Sequence, residues 1–465
     1  MSRPIPQPKG LPLVGNIRDI NPNNTWLSLK KLAEEHGEIF KVTILGRTIV
    51  FVAGAALATE ICDEKRFRKY VAGPIVEIRY AVNDALFTAF DHEESWGIAH
   101  RIIAPRLSPE VMTGHFDEMR DVTSELIQKW KKSNSKGKIT LVEQLNRLNL
   151  EATTFTLFGS RLNGLEGPPH PMLQAMETST SEAVRRPTRP GFLNWLLYGG
   201  KFKKSTAEMR KYAAQMVQNR KDNPTPRDDL LAHMMKAQDP QTGKALADSQ
   251  VIDEVVSMPI GSSTAPCLLT SIIYHLLKNP SLIDKARQEM DTVIGPSPSD
   301  VFRREHLSQL KYIEAIVREG LRLTHPAPGF NIEPIPSDDK SPILLGGGKY
   351  EVPHNQALIL VLAGVNRDPS IFENPLEFRP ERMLGEAYTR LPVGVTRWFG
   401  NGKRECIGKH YAWQWSVATL AQLLREVDFE MADPSYDLEK AGQDGWFNVR
   451  PIGFEVRVKP RAGWA

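Results

Sequence analysis

Apolar β-branched residues alternate with polar ones through "EIFKVTILGRTIVFVAG" (38–54) on either side of Gly46, a pattern that predicts an early hairpin. Beyond it the apolar spacing changes to three and four. In 108–132, Ser108 is placed to cap a helix that opens on Pro109. Met112, Phe116, Met119, Leu126 and Trp130 then form one stripe. Similar stripes predict helices over 205–221, 281–293, 306–323 and 407–427. The longest helical pattern runs from Asp248 to Lys278, about 45 Å at ~1.5 Å per residue, and Asn279-Pro280 ends it. Strand-like pieces return at 351–364 and 447–458. The prediction is a mainly α fold with a small β-sheet region, a single domain over 1–465. Its sheet draws on about 38–54, 340–365 and 445–460, and its helical body on about 55–335 and 407–427. No fixed-period repeat or Gly/Ser linker divides the chain.

Composition adds exclusions. The chain has 465 residues, a formal net charge of +4 and 41% hydrophobic residues, ordinary for a globular protein. That charge points to no nucleic-acid partner. Cys62, Cys267 and Cys406 are the only cysteines, an odd number without framework spacing, which argues for a reducing compartment. "MSRPIPQPKGLPLVGN" holds no apolar run of signal or anchor length. The expectation is a soluble cytoplasmic chain without a membrane anchor.

"WFGNGKRECIGKH" (398–410) carries the chemistry, and three readings compete for it. A phosphate loop needs four residues between its glycines and then Gly-Lys-Ser/Thr; Gly402 and Gly408 enclose five, and His410 stands where the hydroxyl belongs. Zinc could use Cys406 and His410, but no second pair has ligand spacing. A single thiolate ligand to haem iron explains the neighbours better. Gly408 would let the backbone approach the porphyrin, Gly402 would turn the chain to aim the sulfur, and Phe399 would keep water off it. Arg404 suits a haem propionate. For an isolated cysteine, a buried thiol in a glycine-rich turn is the plain alternative; five matched positions in ten favour the iron ligand.

With Phe399-x-x-Gly402-x-Arg404-x-Cys406-x-Gly408 in view, the chain resembles the cytochrome P-450 family of haem-thiolate monooxygenases. The resemblance covers nearly the whole sequence. "YIEAIVREGLRL" supplies the family's Glu-x-x-Arg pair as Glu319 and Arg322, and Pro380 to Arg382 match its later Pro-Glu-Arg segment, followed by Met383 in place of the usual Phe. Read from spacing alone, Glu319 and Arg322 would be an exposed ion pair contributing about 0.2–0.5 kcal/mol. The resemblance implies a buried cluster of Glu319, Arg322 and Arg382 bracing the cysteine loop. More particularly, the chain is similar to the haem domains of soluble self-sufficient fatty-acid hydroxylases fused to an NADPH reductase. The matching stretches are "HGEIFKVTILGR", "CDEKRF", "ALFTAFDHEESWGIAHRIIAPRLSPEVM", "DDLLAHMMKAQDPQTGKAL", "LKNP" and the cysteine segment.

That similarity implies haem b (iron protoporphyrin IX) held by Cys406, with Trp96 and His100 toward its propionates and Lys69 in the cofactor-binding group. Core packing is the plain reading of Trp96, and a half-buried structural histidine that of His100. It implies a wall of Ile75, Ile78, Val82 and Phe87 from one part of the chain. Ile260, Gly261, Ala327, Pro328 and Phe447 come from others. Arg47 matches a substrate-carboxylate anchor whose phenol partner is replaced by Phe51, so the expected substrate is a hydrophobic small molecule, apolar or fatty-acid-like; a solvated hairpin charge is the plain reading of Arg47. FAD, FMN and NADPH enter only through a flavoprotein reductase, fused or separate, since the chain ends at "KPRAGWA". Lys403, Lys409 and Arg397 would steer it.

The implied reaction inserts one atom of dioxygen into a C–H bond. The usual acid–threonine pair reads Ser263-Thr264, within "MPIGSSTAPC" (258–267), where Gly261 would leave room over the porphyrin. Loss of the acid leaves open peroxide-driven oxidation, or rearrangement or dehydration of an oxygenated substrate; a haem sensor without turnover is the third class. Pro259 and Pro266 predict a distorted helix, each at a cost of about 3 kcal/mol, with freed carbonyls for a water or a kink absorbed by packing.

Overall fold

In the computed structural model, residues 2–21, 23–132, 137–441, 443–445 and 447–464 are described. The chain forms two compact units. One comprises Met1–Ala72, Arg318–Cys406 and Gln443–Val449; the other comprises Gly73–Val317, Ile407–Gly442 and Arg450–Ala465.

In the first unit, strands Ile39–Ile44 and Arg47–Val52 pair antiparallel from Ile39↔Val52 to Ile44↔Arg47. Leu45 (φ 49°) and Gly46 (φ 81°) make the two-residue turn. Positive φ at both positions gives the backbone twist that flanking strands need. Val50–Val52 then runs parallel to Leu358–Leu360, and strands Gly329–Pro334 and Phe67–Lys69 complete a five-stranded sheet. Its inner face packs on helix Thr25–His36 through Leu29, Leu32, Phe40, Val42 and Phe51. Phe40 and Phe51 stack with ring centroids 5.1 Å apart.

The late strands do not join one sheet as expected. Ile343–Leu345 and Tyr350–Val352 pair only with each other. In the second unit, Glu455–Pro460 pairs with Val427–Met431 and with Ile139–Thr140. Alternation specifies which side chains share a face, not which strand lies alongside, so sequence pattern alone could not separate these pairings.

The second unit is mainly helical. Ser108 caps as predicted, its hydroxyl accepting from Val111 N at 3.4 Å, with Pro109 at the first position. The stripe divides, however, into Pro109–Gly114 and Phe116–Lys132, interrupted at His115 (ψ 9°). Every stripe residue is still buried. The predicted 306–323 helix likewise opens as a tighter turn, Arg304–Gln309, before Lys311–Thr324. Asp248–Lys278 is long and apolar enough to cross a membrane, but 72% of its apolar window is buried inside the protein, as in a core helix. The fold class is mainly α with small sheets.

Candidate functional site

In the first unit the cysteine loop is built by backbone geometry. Gly400 (φ 86°) and Gly402 (φ 64°) take the left-handed conformation that other residues rarely adopt. Cys406 N–H donates to Phe399 O at 2.7 Å, and Glu405 N–H to Gly402 O at 2.8 Å. The buried Asn401 side chain ties the loop to the end of helix Ala55–Ile61 by donating to Cys62 O at 2.9 Å. Cys406 itself is exposed, and none of the three cysteines is in a disulfide.

Lys69, at the end of its strand, donates from Nζ to Arg404 O at 2.9 Å and lies 5.7 Å from the Phe330 ring centroid. Burial pushes its ammonium below the ordinary lysine range, while attraction to Cys406 opposes that shift. The loop thus places its sulfur near a desolvated cation. A Cβ at Gly400 would stand 2.9 Å from Lys69 Nζ, the movable tip of a long side chain, so it is the positive φ that favours glycine here. Sequence reasoning passed over Gly400, although the Gly-Asn-Gly turn signal was present.

Glu319 and Arg322 are both fully buried, which rules out the exposed-pair reading. Arg322 grips the carboxylate with Nε and Nη2, each at 2.7 Å, and donates to the carbonyls of Asn366, Pro375 and Glu377 at 2.9, 2.8 and 3.0 Å. Arg379 N–H donates to Glu319 Oε1 at 2.9 Å, and Arg382 Nε lies 3.3 Å from the same oxygen. The cluster ties down the irregular segment that precedes the cysteine loop in the chain. Removing either charge would strand the other away from water.

In this unit Val449 N–H donates to Pro326 O at 2.9 Å, which joins the segment carrying Phe447 to the one carrying Ala327 and Pro328. Arg47 is exposed and makes no ion pair among the described residues, whereas Phe51 is buried against Phe40.

In the second unit, the long helix breaks at a single residue, Ser263 (ψ −6°), between Asp248–Ser262 and Thr264–Lys278. Pro266 falls in the first turn of the second helix, where an N–H has no intrahelical acceptor in any case, so its expected cost is avoided. Pro259 sits within the first helix. The hydroxyls of Ser262, Ser263 and Thr264 donate to the carbonyls of Pro259, Ile260 and Gly261 at 3.1, 2.7 and 3.3 Å. Those are the acceptors a break exposes, so three consecutive hydroxyls satisfy the ends they interrupt. Each of these carbonyls thus accepts one hydroxyl of the segment and keeps a second lone pair.

Ser262 is held further: Asn149 Nδ2 donates to its hydroxyl at 2.8 Å and Thr153 Oγ1 at 3.1 Å, and Thr153 lies 3.0 Å from the buried Tyr411 hydroxyl. Burial pushes the Tyr411 phenol well above its ordinary range. These partners lie more than 100 positions from Ser262, and no local signal marked them.

Ile75, Ile78 and Val82 share helix Pro74–Val82, Ile78 and Val82 fully buried, and Ile260 is buried as well. Phe87 is half-buried on the segment that follows. Two carboxylates of the long helix hold that segment. Asp253 accepts from Asn83 Nδ2 at 3.1 Å and pairs with Arg210. Glu254 Oε1 accepts Leu86 N–H at 2.7 Å, while Oε2 is buried without a hydrogen-bond partner. Burial lifts the Glu254 carboxyl to about 8, with Asp253 and Asp84 adding to the rise. Sequence reasoning missed Glu254, because a glutamate on an apolar helix reads as surface until the helix is placed.

Trp96 and His100, one turn apart on helix Glu94–Ile103, stack at 5.1 Å and are both half-buried. Burial, then Arg101, lowers the His100 pKa.

Among the described residues no group of three or more His, Cys, Asp or Glu gathers as a metal site. The donor set therefore suits a lone thiolate on a preassembled cofactor. Consistent with a flat group passing close to backbone, a Cβ added at Gly261 or Gly408 would meet nothing within 4 Å.

The profile of the family described as cytochrome P450 matches residues 5–451. The bifunctional cytochrome P450/NADPH–P450 reductase ascE of Acremonium egyptiacum is 36% identical over 99% of this chain and 44% of its own length. The self-sufficient cytochrome P450 monooxygenase CYP505E4 of Penicillium camemberti is 36% identical over 99% of this chain and 43% of its own. A third, CYP505E3 of Phanerodontia chrysosporium, is 35% identical over 100% and 43%. The chain thus spans less than half the length of the curated relatives it matches. With the profile covering both compact units and the cysteine loop and buried charge cluster in place, the chain belongs to the cytochrome P450 family of haem-thiolate monooxygenases.

Proposed function

We propose that this chain is a monooxygenase haem domain in which the Cys406 thiolate would hold haem b and a hydrophobic small molecule is the substrate. The observation that carries the reading is the Cys406 loop, with its sulfur exposed, its amide bonded to Phe399 O at 2.7 Å and the Lys69 cation nearby. The haem, when bound, supplies reductive activation of dioxygen and oxidation of an unactivated C–H bond. The protein's part is positional and electrostatic. Gly400 and Gly402 aim the sulfur, and the Glu319 cluster holds the preceding segment. Arg404, Trp96 and His100 are the candidates for propionate contact. Thr264 carries the hydroxyl that hands on protons, and apolar Ile78, Val82, Phe87 and Ile260 exclude water. The reductase fusion in the relatives supports an NADPH-dependent flavoprotein as electron donor, fused or separate.

The first test is spectroscopic. The reduced carbon-monoxide complex is expected to show the red-shifted thiolate band, and Cys406→Ser to abolish it. A haem-loaded wild-type protein without that band would refute the ligand assignment. With a reductase and NADPH, product is expected to carry oxygen from labelled dioxygen.

A second reading, peroxide-driven oxidation or rearrangement, is favoured by Ser263, whose hydroxyl replaces a carboxylic acid and donates to Ile260 O at 2.7 Å. Product formed without reductant would select it.

A further inference from the structure

The turn that follows helix Pro74–Val82 is fastened from two directions. Asn83 takes a left-handed conformation (φ 46°), and its N–H closes on Arg79 O at 2.8 Å. The N–H groups of Ala85, Thr88 and Ala89 return to the carbonyls of Val82 and Ala85 at 3.0, 2.9 and 2.8 Å, and Arg79 Nη1 donates to Thr88 O at 2.8 Å. Leu86 is buried, and its N–H instead crosses to Glu254, 168 positions away, at 2.7 Å. Without that acceptor a buried amide would be left unsatisfied, which is destabilising.

Glu254 meets this amide without a counter-charge. It is 1% exposed; Oε1 takes the Leu86 N–H, and Oε2 is buried with no hydrogen-bond partner. The charged groups that act on it, Asp253 on its own helix and Asp84 on the turn, are both acidic. Arg210, from helix Gly199–Asp222, pairs with Asp253 and donates to Ala81 O at 2.9 Å, while Arg79 faces Glu93. Helices Leu141–Phe158 and Leu230–Met234 also pack on this helix, and among the described residues no charge of theirs acts on Glu254. A neutral carboxyl can serve here as a plain acceptor. An ionised one would hold a charge whose second oxygen has no donor, and it reaches water only if the turn moves away. Burial, with both acidic neighbours adding, lifts the carboxyl to about 8.

We infer that Glu254 is a positioning residue for the substrate wall: its carboxyl fastens the Asn83–Thr88 turn to helix Asp248–Ser262, and the charge of that carboxyl sets whether the turn stays closed. The inference rests on the proposed function, in which Ile78, Val82, Phe87 and Ile260 enclose the substrate. Val82 immediately precedes the turn, Phe87 directly follows Leu86, and Ile260 lies on the helix that carries Glu254. One side-chain bond therefore ties the two parts of that wall together, and Glu254 acts on a bound molecule through Leu86 and Phe87.

The test uses the full haem-loaded chain and two readouts: hydrogen exchange of the 83–90 segment by mass spectrometry, and binding of dodecanol, a neutral apolar probe, followed by the shift in the haem spectrum. Wild type is expected to protect the segment at pH 7 and to lose that protection by pH 9, after correction for the intrinsic exchange rate. For one proton released with a midpoint of about 8, the dodecanol dissociation constant is expected to rise about 10-fold over the same interval. Glu254→Gln keeps an acceptor and cannot ionise, so both readouts are expected to hold their pH 7 wild-type levels at either pH. Glu254→Leu has no acceptor and is expected to leave the segment unprotected and the probe weakly bound at both. A side chain that merely fills space would give no such split between Gln and Leu across pH. Equal pH dependence in wild type and Glu254→Gln would overturn the inference, and so would wild-type protection in Glu254→Leu. If Glu254→Leu does not fold, the comparison of wild type with Glu254→Gln still decides. Wild type that binds neither dodecanol nor other neutral apolar compounds would refute the substrate reading, and exchange in the segment then decides the fastening by itself.

Discussion

Glu254 offers a quantitative test, because its cost is tied to pH. The substitution is Glu254→Gln, which retains an oxygen to accept Leu86 N–H but cannot ionise. In the wild type the folded carboxyl holds its proton to about pH 8, against an ordinary value of 4.5, chiefly because it is buried. Below 4.5 the carboxyl is protonated in both folded and unfolded chains and has no differential effect. Between 4.5 and 8 the unfolded chain has released a proton that the folded one keeps, so stability falls as pH rises. At about 1.36 kcal/mol per pH unit, the loss accumulates to about 4–5 kcal/mol by pH 8. For a chain of 465 residues this corresponds to about 1 °C of melting temperature per kcal/mol. The buried amide of the variant brings a fixed offset, so the informative quantity is the difference in melting temperature between variant and wild type. Measured by circular dichroism, it is expected to move in the variant's favour by about 3–4 °C between pH 5 and pH 8. A difference that stays constant over that interval would refute the reasoning.

Other expectations follow from the same geometry. Glu319→Gln leaves Arg322 and Arg382 without their buried counter-charge, at an expected cost of about 3–5 kcal/mol, read as lower haem content and an earlier unfolding midpoint; wild-type values for both would count against the bracing role. Tyr411→Phe removes one hydroxyl contact to Thr153 and is expected to cost about 0.5–1.5 kcal/mol in urea unfolding. Ser263→Asp is expected to raise oxygen-dependent turnover and reduce wasted NADPH if proton delivery is limiting, and unchanged or lower turnover would dismiss that limit.

The chain's chemistry was legible where it is local. Cys406 and its glycines lie within a few residues of each other, and the φ values that Gly402 takes are what the turn requires. Gly46 announced the hairpin for the same reason, since its positive φ is open to glycine, whereas the positive φ of Leu45 beside it carried no signal. Ser108 and Pro109 announced a helix start. Helical stripes also identified core residues correctly even where a helix broke, as at His115, because burial follows side-chain spacing more closely than backbone continuity.

What only the tertiary structure decided were partners distant in sequence and the environments they create. The charge of Glu319 could be read as exposed until the carbonyls of Asn366, Pro375 and Glu377 closed over Arg322. Glu254 became a buried acid only when the long helix packed against the segment before Phe87. Asn149 and Thr153 reach Ser262 from one helix, Leu141–Phe158, with Tyr411 of another helix bonded to Thr153 behind them, and the late strands chose different sheets although their alternation was the same. Periodicity encodes which face of an element is apolar, and motif spacing encodes local turns. Desolvation and hydrogen-bond pairing depend on what another part of the chain brings to that face, which is a property of the packed molecule.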